Sequence, residues 1–133
     1  MNEQVIIIDA NQMISALLGG KAREILYSDH FRICTTERKT WEVKRYIPFI
    51  SQKTSVSEAR VLRTFELFPV ESFHDVFFTD RLPSAHTLIG ARDETDVDLV
   101  ALALKLQCPI WSHDRDFQDL VIILFSLPRI CLS

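Results

Sequence analysis

Short apolar runs alternate with longer amphipathic segments along most of this 133-residue chain. Runs of this length are typical of buried strands, and we predict four of them, at residues 5–8, 31–34, 70–73 and 110–111. Apolar residues recur every three or four positions in the longer segments, which we predict to be helices at residues 11–18, 21–27, 37–50, 57–68, 84–91 and 96–107. Strands that alternate with helices in this way predict an α/β fold with a mainly parallel sheet.

The pattern relaxes in only a few places, and none of them looks like a linker between domains. Gly19 and Gly20 are a natural helix stop. Residues 51–57 are interpreted as a turn that starts another helix, and the stretch around 79–84 as a loop that contains Pro83. We therefore predict a single domain over residues 1–133.

Acidic residues stand at the ends of two predicted strands and at the start of the clearest helix. Asp9 directly follows the first apolar run, and Asp114 follows the last one. Asp96 and Asp98 precede the uncharged stretch 99–104. Open α/β folds bind ligands at the carboxyl edge of the sheet, so these carboxylates are expected to meet there. Clustered carboxylates repel one another unless a positive group lies among them, and Mg²⁺ or Mn²⁺ is the usual one. The sequence therefore predicts a metal site.

Composition and charge narrow the class of protein. No apolar run reaches the length of a membrane span, and the first four residues lack the positive charge of a signal peptide, so we expect no membrane partner. The three cysteines lack metal-ligand spacing. We interpret them as reduced thiols, as is usual in a cytoplasmic protein. The net charge of −3 gives no overall attraction for nucleic acid, so a nucleic-acid partner would need a local basic patch.

Two parts of the chain together resemble the PIN domain, a compact three-layer α/β nuclease family. Residues 7–11 and 14–18 are similar to the family's first strand and helix. The more specific part runs through residues 92–96, 101–104 and 109–117: an acid, an alanine-rich helix, a short strand, and then a serine, two aspartates and a phenylalanine. The resemblance covers nearly the whole chain.

The resemblance implies a quartet of metal-binding catalytic acids, which we carry over to Asp9, Glu42, Asp96 and Asp114. They would hold one or two Mg²⁺ or Mn²⁺ ions, which activate water to cleave RNA. Glu37 is the alternative to Glu42, because both lie in the helix that follows the second strand. Each acid also has an ordinary interpretation: Asp9 and Asp96 as residues at helix starts, and Glu42 as a solvated side chain.

Further polar residues are candidates for supporting roles. We predict that four of them assist the acids: Asn11, Asp98, Ser112 and Asp116. Four basic residues are candidates for contacting the RNA backbone: Lys44, Arg45, Arg92 and Arg115. Helix capping or plain surface exposure remains the ordinary explanation for most of them.

The resemblance implies a cytoplasmic ribonuclease, and small stand-alone PIN domains are often toxins. By that analogy we expect an antitoxin protein as partner and a homodimer. The first alternative is a catalytically idle PIN-like module that binds RNA or protein. The second is a receiver-like or phosphatase-like domain, which also has acids at strand ends. A phosphatase of that kind requires a second Asp where Asn11 stands, and a receiver requires a late strand-end Lys that is not found here.

Overall fold

A parallel sheet organises the part of the chain that the structure describes. The structure is a computed structural model, and it describes residues 4–89 and 96–111. The four strands are β1 (Gln4–Ile8), β2 (Phe31–Thr36), β3 (Val70–Phe73) and β4 (Ile110–Trp111). They lie in the order β3-β2-β1-β4, and every neighbouring pair is parallel. The predicted α/β fold and all four predicted strands are confirmed.

Helices connect the strands. They are α1 (Ala10–Leu17), α2 (Ala22–Leu26), α3 (Glu37–Thr54), α4 (Glu58–Glu66), α5 (Leu82–Ile89) and α6 (Val97–Leu106), with a 3₁₀ helix at Asp75–Arg81 before α5. Gly19 and Gly20 end α1 as predicted. Gly19 has φ +90°, and a Cβ on Gly20 would collide with the Ser15 hydroxyl.

Two apolar clusters cover the two faces of the sheet. Successive side chains of a strand point to opposite faces, so Ile6 and Ile8 of β1 join one cluster and Ile7 joins the other. The first cluster is built with residues of α1 to α4, and the second with residues of α5, α6 and the 3₁₀ helix. The sheet therefore lies between two helical layers, which confirms the predicted three-layer architecture.

The described cysteines are buried and reduced. Burial raises the pKa of the Cys34 thiol to about 11 and that of Cys108 to about 12. Both are therefore neutral and unreactive at physiological pH. Cys131 lies outside the described residues. Within residues 4–89 and 96–111, no helix combines the length and the hydrophobicity that crossing a membrane requires.

Candidate functional site

Three helices begin at the same edge of the sheet, and each brings one acidic side chain to it. Asp9 follows β1 and caps α1, since its Oδ1 accepts a hydrogen bond from the Ala10 N–H at 2.6 Å. Glu42 lies in the second turn of α3, directly after β2. Asp96 stands at the N-terminus of α6. All three acids are therefore positioned by short connections between strand and helix.

Side-chain hydrogen bonds hold the ends of β1 and β2 in place. The Thr35 hydroxyl donates to the carbonyl of Ile8 at 2.8 Å, which ties the last residue of β1 to β2. The Thr36 hydroxyl caps α3 by accepting from the Lys39 N–H at 3.2 Å. Both threonines are buried. These two hydrogen bonds hold the backbone at the end of β1, next to Asp9, and at the start of α3 in position.

The amino group of Lys39 lies at the centre of these acids. Its Nζ is 2.5 Å from Asp96 Oδ1, 3.4 Å from Glu42 Oε2 and 3.8 Å from Asp9 Oδ1. Only 3% of the Lys39 side chain is exposed, and the side chains of Asp9 and Asp96 are nearly as buried. The structure therefore brings Asp9, Glu42 and Asp96 around a single point, and that point holds a positive charge.

The electrostatics of the cluster favour the charged form of Lys39. Burial by itself lowers the pKa of the ammonium group. The hydrogen bond to Asp96 and the charges of Asp96, Asp9 and Glu42 outweigh burial, and the pKa lies above its ordinary value of 10.5. Lys39 is consequently protonated throughout the physiological pH range.

The structure separates the two candidates for the second acid. The Glu42 carboxylate faces Lys39, and 29% of its side chain is exposed. The Glu37 side chain is 60% exposed and lies 3.8 Å from His74, outside the cluster. Glu42 is therefore the acid that joins Asp9 and Asp96.

The structure describes some of the predicted supporting and RNA-contacting residues and not others. Asn11 is exposed in the first turn of α1, and Asp98 Oδ1 accepts a hydrogen bond from the Leu99 N–H at 2.8 Å. Lys44 and Arg45 are exposed on α3, where the Arg45 guanidinium lies 4.8 Å from the centre of the Trp41 ring. Five of the predicted site residues lie outside the described residues: Arg92, Ser112, Asp114, Arg115 and Asp116.

Lys39 is central among the described residues of the cluster, and it was not predicted from the sequence. The buried residues of α3 are Lys39, Val43, Ile47 and Ile50. Their spacing of four, four and three is that of a core-facing stripe, and Lys39 occupies its first position. A lysine in such a stripe requires a buried partner of opposite charge. The position of Lys39 in this stripe was the sequence signal that could have indicated a buried, paired lysine.

An open cleft lies at the start of α3. Its volume is about 740 Å³, and it lies between the start of α3, the 3₁₀ helix and the starts of α5 and α6. Thr36, Trp41 and Val97 line it, and each is a sequence neighbour of a cluster residue or lies within three residues of one. Arg38, His74 and His86 also line the cleft. Three acidic residues complete its polar lining: Glu37, Asp75 and Asp98. The cleft therefore combines aromatic, basic and acidic side chains, and the four residues of the cluster do not themselves line it.

The donors of the cluster fit a hard divalent cation in their chemistry. Carboxylate oxygens are the preferred ligands of Mg²⁺ and Mn²⁺. As arranged around Lys39, however, no group of three or more His, Cys, Asp or Glu side chains in the described part of the chain has the geometry of a metal site. The ligand types are present, and the ammonium group holds the position between them.

Comparison with known families identifies the fold. The family model of the PIN domain matches residues 7–122, which is most of the chain. This chain belongs to the PIN domain family. The resemblance noted from the sequence is thereby confirmed. No curated protein is significantly similar to this PIN domain in sequence.

Two solved structures share the fold of this PIN domain. VapBC2 from Rickettsia felis, bound to a DNA fragment from its promoter, has a chain that superposes with a TM-score of 0.67 at 11% identity, over 87% of this chain and 92% of that one. A toxin–antitoxin complex from Klebsiella pneumoniae gives 0.63 at 14% identity, over 96% of both chains. At such low identity these similarities establish the fold alone.

Proposed function

We propose that this PIN domain is a metal-dependent ribonuclease that hydrolyses phosphodiester bonds in RNA. The observation that carries the proposal is the convergence of Asp9, Glu42 and Asp96 around one point at the carboxyl edge of the sheet, each within 3.8 Å of the Lys39 Nζ. PIN domains are generally nucleases, and their acids act through divalent metals. Burying carboxylates in this way is costly unless a positive partner is present, and in the structure Lys39 is such a partner.

Asp9, Glu42 and Asp96 would hold Mg²⁺ or Mn²⁺, with Asp114 as the proposed fourth ligand. A bound divalent cation lowers the pKa of water near the scissile phosphate and neutralises the charge that develops there. The Ala10 N–H orients the Asp9 carboxylate, and Lys39 orients that of Asp96. The low exposure of both acids keeps bulk water away from their charges, which strengthens their attraction for a cation.

The RNA strand would lie in the cleft beside the acids. The Trp41 ring is 56% exposed and lines the cleft, so it can stack on an unpaired base. Arg38 lines the same cleft, and Arg45 lies against Trp41, so both can contact phosphates.

Removing the metal tests the proposed activity. We expect the protein to cleave RNA in the presence of Mg²⁺ or Mn²⁺. EDTA should abolish this cleavage, and added metal should restore it, because the acids alone cannot activate water. Glu42→Gln should lower the cleavage rate at least about tenfold by weakening the metal site. Gel assays on labelled single-stranded RNA measure both effects.

The matched control is Glu37→Gln on the same helix. It should leave the rate nearly unchanged, because the Glu37 side chain is exposed and lies outside the cluster. Cleavage that persists in EDTA would refute the metal-dependent mechanism. RNA binding without any cleavage in Mg²⁺ or Mn²⁺ would favour the idle RNA-binding module instead.

Replacing Trp41 tests the position of the RNA. Trp41→Ala should weaken binding of single-stranded RNA roughly tenfold or more, since stacking of one base on an aromatic ring contributes about 1–3 kcal/mol. Tyr46→Ala is the control, because Tyr46 is 52% exposed on the same helix but does not line the cleft. Fluorescence anisotropy of a labelled oligonucleotide gives both affinities. Equal losses in the two variants would place the RNA elsewhere.

We further propose that this ribonuclease is the cytoplasmic toxin of a toxin–antitoxin pair. The solved structure from Klebsiella pneumoniae is a toxin–antitoxin complex, and VapBC2 from Rickettsia felis shares the same fold. By that analogy we propose an antitoxin as the protein partner, and the resemblance to small PIN domains is the basis for proposing a homodimer. Expressing the chain without its antitoxin should then arrest cell growth, and unimpaired growth would contradict the toxin role.

A further inference from the structure

We propose that the outer face of α3 is a binding track for single-stranded RNA that continues from the cleft. The track is the row of side chains at every fourth position of the helix, here called the α3 row, and it consists of Trp41, Arg45, Phe49 and Lys53. This inference rests on the proposed function, because it extends the path of the proposed substrate. It adds Phe49 and Lys53, neither of which lines the cleft.

The first argument is the alternation of aromatic and basic side chains along the α3 row. Side chains four positions apart form a continuous ridge on the surface of a helix, so a ring, a cation, a second ring and a second cation follow one another. All four residues are exposed. A single strand of RNA also alternates bases with phosphates, and it binds proteins by stacking its bases on rings while cations contact its backbone.

The second argument is that the rings of the α3 row lie outside the core. The exposed fraction is 56% for Trp41 and 47% for Phe49. The Arg45 guanidinium lies 4.8 Å from the centre of the Trp41 ring. The Phe49 ring makes a T-shaped contact with Tyr46, with 6.3 Å between the centroids. Each ring therefore has a neighbour that holds it in place and enough free surface for a base to stack on it.

The third argument is the charge of α3. The whole chain contains 15 basic and 18 acidic residues, whereas α3 contains five basic and two acidic ones. Four of the basic residues are exposed: Arg38, Lys44, Arg45 and Lys53. The two acids, Glu37 and Glu42, both lie toward the start of the helix. From residue 43 onward α3 has only basic charged residues, which attract a polyanion and repel the same face of a second copy.

The fourth argument is that the α3 row begins in the cleft. Trp41 lines the cleft, and Phe49 lies about 12 Å further along the helix axis. Stacked neighbours of a strand are only about 3.4 Å apart, so the two rings bind bases at separate positions of one RNA molecule. A strand that leaves the cleft past Trp41 therefore meets a second ring and a second cation on the same ridge.

Binding of labelled single-stranded RNA of mixed sequence to the full chain tests the α3 row. Fluorescence anisotropy in EDTA measures this binding without metal and without cleavage. Phe49→Ala should weaken the affinity at least about fivefold, because it removes one stacking ring. Tyr46→Ala is the matched control and should leave the affinity nearly unchanged. Both substitutions break the same contact between Tyr46 and Phe49, but Tyr46 belongs to the neighbouring row of the helix.

The salt dependence of the affinity tests the cations of the α3 row. Lys53→Met removes one proposed phosphate contact, so the slope of log affinity against log salt concentration should fall by about 0.7. Lys105→Met is the control, because Lys105 lies on α6 and pairs with Asp80 at 2.9 Å. It should leave the slope unchanged. A merely structural effect of Lys53→Met would lower the affinity at every salt concentration alike.

The outcomes separate this inference from the proposed function. If Trp41→Ala weakens binding but Phe49→Ala and Lys53→Met do not, the RNA is confined to the cleft and the inference is wrong, while the ribonuclease stands. RNA binding that depends on Phe49, without any metal-dependent cleavage, would support the α3 row and contradict the ribonuclease. A wild type that binds no single-stranded RNA would overturn both.

Two further results would also overturn the inference. Equal losses in Phe49→Ala and Tyr46→Ala would attribute the effect to disturbed packing of α3. A change in sedimentation with Phe49→Ala, at unchanged RNA affinity, would make the α3 row an interface between copies of the chain. Circular dichroism confirms the fold of each variant, and the salt slope of Lys53→Met decides the matter if Phe49→Ala does not fold.

Discussion

Replacing Asp9 with asparagine is expected to lower the rate of RNA cleavage at least about 100-fold while the protein stays folded. Asparagine retains the oxygen that accepts the Ala10 N–H, and it is as good a helix cap as aspartate. The substitution therefore removes the charge that would hold the metal and one of the negative charges around Lys39, while the helix cap is kept. In cells, the same variant should relieve the growth arrest that the wild type is expected to cause.

Asp80→Asn is the matched control for Asp9→Asn. Asp80 is an exposed acid that pairs with Lys105 at 2.9 Å, away from the cluster. This variant should cleave RNA at close to the wild-type rate. Initial rates under metal saturation, together with thermal unfolding, distinguish lost catalysis from lost stability. An Asp9→Asn variant as active as the wild type would remove Asp9 from the proposed site.

Replacing Lys39 with methionine is expected to destabilise the metal-free protein by about 3–5 kcal/mol, the usual cost of removing one partner from a buried ion pair. The variant removes the positive charge that lies 3.8 Å from the Asp9 carboxylate and 2.5 Å from that of Asp96. Added Mg²⁺ should recover much of the loss, because a bound cation replaces the missing charge. Lys44→Met should change the free energy of unfolding by less than about 0.5 kcal/mol. Urea denaturation provides these values.

The pH dependence of the stability difference between wild type and Lys39→Met shows whether charge or packing causes it. The pKa of Lys39 is raised in the folded protein, so its contribution to stability is fully present below the ordinary lysine pKa of 10.5. The contribution is lost as pH rises through the folded pKa. The difference in the free energy of unfolding between wild type and Lys39→Met should therefore shrink in strong alkali. The buried thiols also titrate in alkali, but they are present in both proteins and cancel. A difference that persists at high pH would mean that packing, not charge, stabilises the wild type.

The sequence was sufficient for the architecture because the architecture depends on hydrophobic periodicity. Residues 5–8 lie in a strand covered on both faces, and such a strand is apolar throughout. Element boundaries were less predictable. α3 continues to Thr54 through Pro48, whereas the prediction ended at residue 50. The 3₁₀ helix at Asp75–Arg81 has no strong periodicity of its own and was not predicted.

The acids were predictable and their positive partner was not. Asp9 and Asp96 stand beside conspicuous apolar runs, so position along the chain indicated them. Lys39 becomes central only when α3 packs against the sheet and turns its first buried position toward both acids. Clustered carboxylates require a positive group among them, and a divalent cation was the expected one. The fold supplies an amino group at that point.

The convergence of three helix starts also changes the electrostatic field that an approaching nucleic acid meets. Each helix carries about half a positive elementary charge at its N-terminus. Asp9, the Lys39–Glu42 turn and Asp96 lie at the N-terminal ends of α1, α3 and α6, so three such partial charges face the same edge of the sheet. They partly offset the acids without using a single basic side chain. The net charge of −3 is therefore no measure of what a phosphate experiences there.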